Sequence, residues 1–174
     1  MAGKRGNKTV RNMILSLAAV APVVAVVYMF TPHDGTADPL KAVDYRVELQ
    51  TARRAAPYPV AAPVGLPDGW KATSVSYDGA GGNAWHLGFL SPEGRYVAVE
   101  QSTAPAKKFI SSVSQQATKT DETQQVKGVA WERWEGSKYD ALVRQDKGST
   151  TVVTGTAPYE QLAQMAAALE SKQR

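Results

Sequence analysis

The 174-residue chain contains no cysteine. This absence excludes disulfide bonds, cysteine-ligated metal centres and a lipidated cysteine as a membrane anchor. A folded part must therefore be stabilised by an ordinary apolar core. Four tryptophans and seven tyrosines supply large side chains for such a core.

Excess charge of either sign is missing from most of the chain. Of the 20 lysines and arginines, four precede residue 12, and the other 16 are matched by 16 acids. The formal net charge of +4 is therefore confined to the amino terminus. Because nucleic acid is bound by a basic surface, this distribution excludes it as the expected partner.

Recognisable catalytic and cofactor-binding motifs are also absent. The glycine-rich segment 78–83 precedes a predicted strand and lacks the following helix of a phosphate-binding loop, so we interpret it as a hairpin loop. The acids are spread singly, apart from Asp121-Glu122, and their spacing indicates no acid/base pair. We expect no catalytic residue, no cofactor and no bound metal.

One long apolar run is present, over residues 13–30, and it contains no charged residue. Eighteen helical residues reach about 27 Å, close to the hydrocarbon thickness of a bilayer. Four cations stand before the run, whereas residues 31–38 carry two acids and no lysine or arginine. Since cations are retained on the cytoplasmic side, the pattern predicts a cytoplasmic amino terminus and an extracytoplasmic remainder.

A cleaved secretory signal is the alternative to an uncleaved anchor. Its apolar region is usually shorter, and the small-residue site Ala19-Val20-Ala21 lies inside the run. We therefore favour the anchor, with a cytoplasmic tail (1–12), a transmembrane helix (13–30), a flexible stalk (31–42) and an extracytoplasmic domain (43–174).

The first part of that domain is predicted to contain a strand and an irregular segment. Val43, Tyr45, Val47 and Leu49 alternate with polar residues, which indicates a strand with one buried face. Four prolines between residues 57 and 67 predict extended coil.

The rest follows a pattern of short strands, turns and two helices. Strands are expected over residues 72–77, 84–90, 95–101, 125–134, 139–145 and 150–155. A helix follows Thr103-Ala104-Pro105, and a second follows Thr156-Ala157-Pro158. The sequence thus predicts an α+β fold, an antiparallel sheet of six or seven strands with both helices on one face. The repeated tripeptide indicates either a doubled βββα unit or independent use of the same capping residues.

Four residues form the candidate binding surface, namely Trp85, His86, Trp131 and Trp134. Strand alternation places His86 on the face opposite to Trp85, and a half-buried structural histidine is the favoured interpretation. Trp131 and Trp134 are three residues apart, so a regular strand would turn them to opposite faces. Core packing is favoured over an aromatic ligand platform for both.

The chain also resembles an uncharacterised family of membrane-anchored proteins from high-GC Gram-positive bacteria. The resemblance covers nearly the whole chain and rests on the following segments: Val43-Asp44-Tyr45, Tyr58-Pro59-Val60, Gly65-Leu66-Pro67-Asp68-Gly69-Trp70, Trp85-His86-Leu87-Gly88-Phe89-Leu90, Glu100-Gln101-Ser102 and Val152-Val153-Thr154-Gly155-Thr156-Ala157. It implies a cell-envelope setting and carries over no catalytic residue.

We therefore expect a single-pass membrane protein whose external domain is a binding or interaction module. Its partners would be the bilayer, through residues 13–30, and an envelope protein, lipid or wall component. Two alternatives stay open: an envelope hydrolase with an unrecognised site involving His86 and nearby acids, and a structural or regulatory subunit of a membrane complex.

Overall fold

The computed structural model describes residues 42–172 and the isolated positions 13, 18 and 20. The predicted cytoplasmic tail, transmembrane helix and stalk lie outside the described residues, apart from those three positions and residue 42. Within the part of the chain that is described, no helix combines the length and apolarity that a bilayer crossing needs. The fold given below is that of the compact unit Leu40–Arg174.

A seven-stranded antiparallel sheet forms the centre of this unit, which confirms the predicted α+β class. In spatial order the strands are β2 (Lys71–Asp78), β3 (Ala84–Leu90), β4 (Tyr96–Ser102), β8 (Ser149–Gly155), β7 (Asp140–Asp146), β6 (Val129–Glu135) and β5 (Thr118–Val126). Two central strands, β4 and β8, pair with Val99 opposite Val153.

Three helices and a second, two-stranded sheet complete the unit. The helices are α1 (Arg46–Ala55), α2 (Ala106–Val113) and α3 (Tyr159–Ala168). The small sheet pairs β1 (Val60–Pro63) with β9 (Leu169–Lys172) in antiparallel register.

The predicted placement of both helices on one face is wrong. Leu162 and Met165 of α3 pack with Leu142 and Val153, whereas α2 packs on Val152. Consecutive residues of a strand point to opposite faces, so Val152 and Val153 assign α2 and α3 to opposite sides of the sheet. Both faces of the sheet thus contribute to the core.

This arrangement also bears on the duplication hypothesis. Antiparallel neighbours such as β4 and β8 can be exchanged by a two-fold axis normal to the sheet, and such an axis would leave both following helices on the same face. Because α2 and α3 lie on opposite faces, the two halves are not related in that way. The strand order is nonetheless symmetric about the β4–β8 pair, with β3 matching β7 and β2 matching β6, so any doubling is limited to the strands.

The strand predicted from the alternation of residues 43–50 is also wrong. The segment forms α1 from Arg46, with Ala52 buried and Tyr45 and Leu49 packed against the core. These three positions, with Ala56, follow helical spacing, whereas Val47 is 70% exposed. Four alternating residues were too short a pattern to distinguish period 2 from period 3.6.

Three further strands, β1, β5 and β9, were missed. The proline-rich segment contains β1, which pairs with the short strand β9 in a separate two-stranded sheet. Its prolines therefore do not interrupt the hydrogen bonds of the central sheet. The predicted strand 125–134 is divided by a turn at Lys127 and Gly128, both with positive φ (48° and 79°). This turn connects β5 to β6 in a hairpin, and the polar residues 118–126 form the edge strand β5.

Candidate functional site

His86 lies in the middle of β3, on the sheet face opposite to α1 and α3. On this face α2 covers residues of β7 and β8, Val143 and Val152 among them. The neighbouring part, formed by β2, β3 and β4, reaches solvent: 28% of the His86 side chain is exposed. We call this part, together with the adjoining Tyr139 just before β7, the His86 surface and define it by Ser74, His86, Tyr96, Glu100 and Tyr139.

Glu100 holds one side of the imidazole. It stands directly opposite His86 in the β3–β4 register, and its Oε1 is 2.6 Å from His86 Nδ1. The Glu100 side chain is 13% exposed. A carboxylate at this distance selects the tautomer with a proton on Nδ1, which donates to Glu100.

Ser74 holds the other side of the ring, with its Oγ 2.8 Å from His86 Nε2. A β-bulge between Ala72 and Ser74 determines this placement. Ala72 pairs with Phe89 and belongs to the core, but Ser74 pairs with Gly88 on the His86 side. In a regular strand both residues would face the same way, so the bulge turns Ser74 towards His86.

Gly88 makes room for this arrangement. A Cβ on Gly88 would collide with Ser74 Oγ and would lie 2.9 Å from the Tyr96 hydroxyl. The missing side chain of Gly88 thus allows two hydroxyls to approach above the sheet.

Tyr96 connects this cluster to Tyr139. The two rings are 5.9 Å apart between centroids and tilted by 35°. Burial, above all, raises the pKa of the Tyr96 hydroxyl, so the phenol stays protonated and is able to donate.

The pKa of His86 is raised above its ordinary value of 6.5. The hydrogen bond that His86 donates to Glu100 is the largest cause, and partial burial of the ring opposes it. In the neutral ring, Nε2 accepts a hydrogen bond from the Ser74 hydroxyl. The order of groups is hydroxyl, imidazole and carboxylate, the order in which proteins activate a serine towards acyl groups.

The three tryptophans of the predicted surface lie elsewhere. Trp85 and Trp131 are 0% and 2% exposed, and the Trp85 indole donates to the carbonyl of Ala61 in β1 at 3.0 Å. Trp134 lies on the same face as His86, but it packs under α2 on β6. Four strand spacings, about 19 Å, separate β6 from β3. The structure therefore does not bring the indoles together with His86.

Three surface clefts lie away from the His86 surface. The first, of about 590 Å³, is lined mainly by α3 and the β5–β6 turn, including Lys127 and Gln164. Another, of about 610 Å³, follows the carboxyl end of α2 near Gln115. A third, of about 480 Å³, lies around Arg95 and Pro158. None of these three clefts includes Ser74, His86 or Glu100.

The fold and the site define a class: an α+β domain with a mixed hydroxyl, imidazole and carboxylate cluster on a solvent-facing sheet. At the sequence level, residues 5–169 match a family described as a protein of unknown function, DUF4245, and the chain belongs to this family. A search of curated proteins found no match.

Proposed function

We propose that this protein is a single-pass, membrane-anchored binding or interaction module of the bacterial cell envelope, with its domain outside the cytoplasm. We further propose that it binds through the His86 surface. The observation that carries the second step is the hydrogen-bonded Ser74, His86 and Glu100 cluster, which occupies part of the sheet that faces solvent.

The sequence supports the location. Residues 13–30 are uncharged and long enough to span, four cations precede them, and the rest of the chain has balanced charge. The resemblance to anchored proteins of high-GC Gram-positive bacteria supports the same setting.

The composition of the His86 surface favours a polar ligand. It presents hydroxyls from Ser74, Tyr96 and Tyr139 with an imidazole and one carboxylate, groups that donate and accept hydrogen bonds. The Tyr96 and Tyr139 rings add an aromatic face of the kind that packs against apolar sides of polar ligands. We therefore propose an uncharged, hydrogen-bonding wall component, such as a glycan, as the occupant.

Site-specific photo-crosslinking in living cells tests this proposal. A photoreactive phenylalanine analogue replaces Tyr139 at the edge of the His86 surface, and in the control chain it replaces Val47, which is 70% exposed on α1. Because α1 lies on the other side of the sheet, the control reports non-specific proximity. We expect wall glycan attached to the Tyr139 variant and not to the Val47 variant.

Equal crosslinking from both positions, or none from Tyr139, would contradict the proposed surface. A lipid or a protein attached only at Tyr139 would support the binding surface and contradict glycan as its occupant. A chain that carries both the photoreactive analogue at Tyr139 and the substitution His86→Gln should give less specific crosslinking, because the substitution removes a hydrogen-bonding group of the same surface.

A further inference from the structure

The Ser74, His86 and Glu100 side chains stand in the order of nucleophile, base and orienting acid. We infer that they form an acyl-transfer site that hydrolyses O-acyl esters. This activity goes beyond the proposed binding role and does not depend on it. It gives the hydrolase alternative a specific nucleophile, which the sequence did not indicate.

The distances meet the requirements of such a site. Ser74 Oγ is 2.8 Å from His86 Nε2, and His86 Nδ1 is 2.6 Å from Glu100 Oε1. Hydrogen-bonded contacts of about 2.6–3.2 Å between nucleophile, base and orienting group are the geometric signature of an activated hydroxyl. Ser74 and His86 are each partly exposed, so an ester is able to reach them from solvent.

Two departures from regular strand structure produce this geometry. The bulge before Ser74 turns its side chain to the His86 side, and Gly88 leaves the space that Ser74 Oγ needs. Bulges near active sites commonly re-aim a side chain in this manner. A hydrogen bond between an ordinary surface serine and a histidine would need neither feature.

The reaction takes place in two balanced steps. Ser74 Oγ attacks the ester carbonyl and passes its proton to His86 Nε2; the bond to the leaving oxygen then breaks, and the alcohol departs with that proton. Water, activated by His86, attacks the acyl-serine and releases the carboxylic acid, which restores Ser74. Glu100 stabilises the imidazolium formed in each step, and the Tyr96 hydroxyl, which lies beside Ser74 above Gly88, would donate to the oxyanion.

The open location determines the substrate class. The cluster lies on a sheet surface, and 28% of the His86 side chain reaches solvent, so a bulky carrier is able to approach it. We infer an O-acyl ester carried on a large polar molecule, whose carrier lies along the His86 surface. Glu100 acts through His86 and is a positioning residue.

Covalent labelling of the full-length chain, purified in mild detergent, tests the inference. The chain is treated with a fluorophosphonate probe and, separately, with p-nitrophenyl acetate, and the modified residue is identified by mass spectrometry. We expect the phosphonyl adduct on Ser74, its loss in Ser74→Ala, and its retention in Ser76→Ala, an exposed serine two residues along the same strand. The His86→Gln variant should react at least about a hundredfold more slowly.

A pH profile separates catalysis from a structural role. The labelling rate should fall on the acid side as His86 becomes protonated, and Glu100→Gln should move this limb to lower pH because the carboxylate that favours the imidazolium is gone. Circular dichroism confirms that each variant is folded. Absence of reaction at Ser74 with both probes, or equal rates in the wild-type and His86→Gln chains, would overturn the inference, whether or not the crosslinking experiment finds a ligand.

Discussion

At the scale of the residue, His86 is held by partners from two different strands. Glu100 on β4 accepts a hydrogen bond from Nδ1, and Ser74 on β2 faces Nε2. The two ring nitrogens thus have separate roles, and the ring cannot rotate freely without losing both contacts. The protonation state of His86 should therefore change when either of these contacts is lost.

Replacing Glu100 should reverse the direction of the His86 pKa shift. In the wild-type chain the hydrogen bond that His86 donates to Glu100 raises this pKa above 6.5, and burial opposes it. In Glu100→Gln the charge is removed while the ring stays partly buried, so we expect the pKa to fall below its ordinary value. Titration of the imidazole protons by NMR measures it, and an unchanged pKa would contradict the contact.

The same pair should make stability depend on pH. A histidine whose folded pKa lies above its unfolded value contributes stability below about pH 6.5, and this contribution is lost as the pH rises through the folded pKa. The difference in unfolding free energy between the wild-type and Glu100→Gln chains should therefore be largest near pH 6 and decrease towards alkaline pH. Urea unfolding at a series of pH values checks this, and a difference that grows with pH would count against it.

Only part of this cluster was predictable from the sequence. Alternation correctly placed His86 opposite to Trp85, but Ser74 required the bulge, which has no reliable signal in the sequence. The placement of Glu100 opposite His86 depended on one additional residue in the turn between β3 and β4. In the turn between β3 and β4, Gly94 donates a backbone hydrogen bond to Ser91 and has a left-handed conformation (φ 71°). This extra turn residue sets the register in which Leu90 stands opposite Tyr96.

Such a shift matters because the side-chain period of a strand is two. Without the extra residue, His86 would stand opposite Val99 instead of Glu100, and every side chain of β4 would change faces. Strand positions were therefore easier to predict than the contacts between strands.

At the scale of the element, α1 is the main difference from expectation. A strand over residues 43–50 would bury Tyr45, Val47 and Leu49 together, whereas the helix buries Ala52 and exposes Val47. The Tyr45 ring meets Phe89 edge-on, with centroids 5.9 Å apart. This contact connects the start of α1 to the core face of β3.

Two substitutions in α1 distinguish the helix from the strand. Ala52→Asp places a charge at a position with 0% exposure and should cost about 3 kcal/mol or more. Val47→Ser, at a 70% exposed position, should change stability by no more than about 0.5 kcal/mol. Denaturant unfolding of the two variants measures both effects, and a larger loss for Val47→Ser than for Ala52→Asp would favour the strand.

At the scale of the whole molecule, the two faces of the sheet have different roles. Most of one face packs against α1, α3 and the small sheet, where Trp85 and Leu162 lie. The other face is covered by α2 over β7 and β8, and its remaining part carries the His86 surface. Trp85 and Trp131 thus lie in the core, while His86, next to Trp85 in β3, faces outwards.

The proposed function requires that this domain lie outside the cytoplasm, anchored in the membrane by residues 13–30. The direct measurement is protease access to a tag fused after Arg174, in intact spheroplasts and after lysis. We predict that the tag is digested in intact spheroplasts, because the four amino-terminal cations stay inside. A tag that resists the protease until the cells are lysed would contradict the proposed location and, with it, the envelope function.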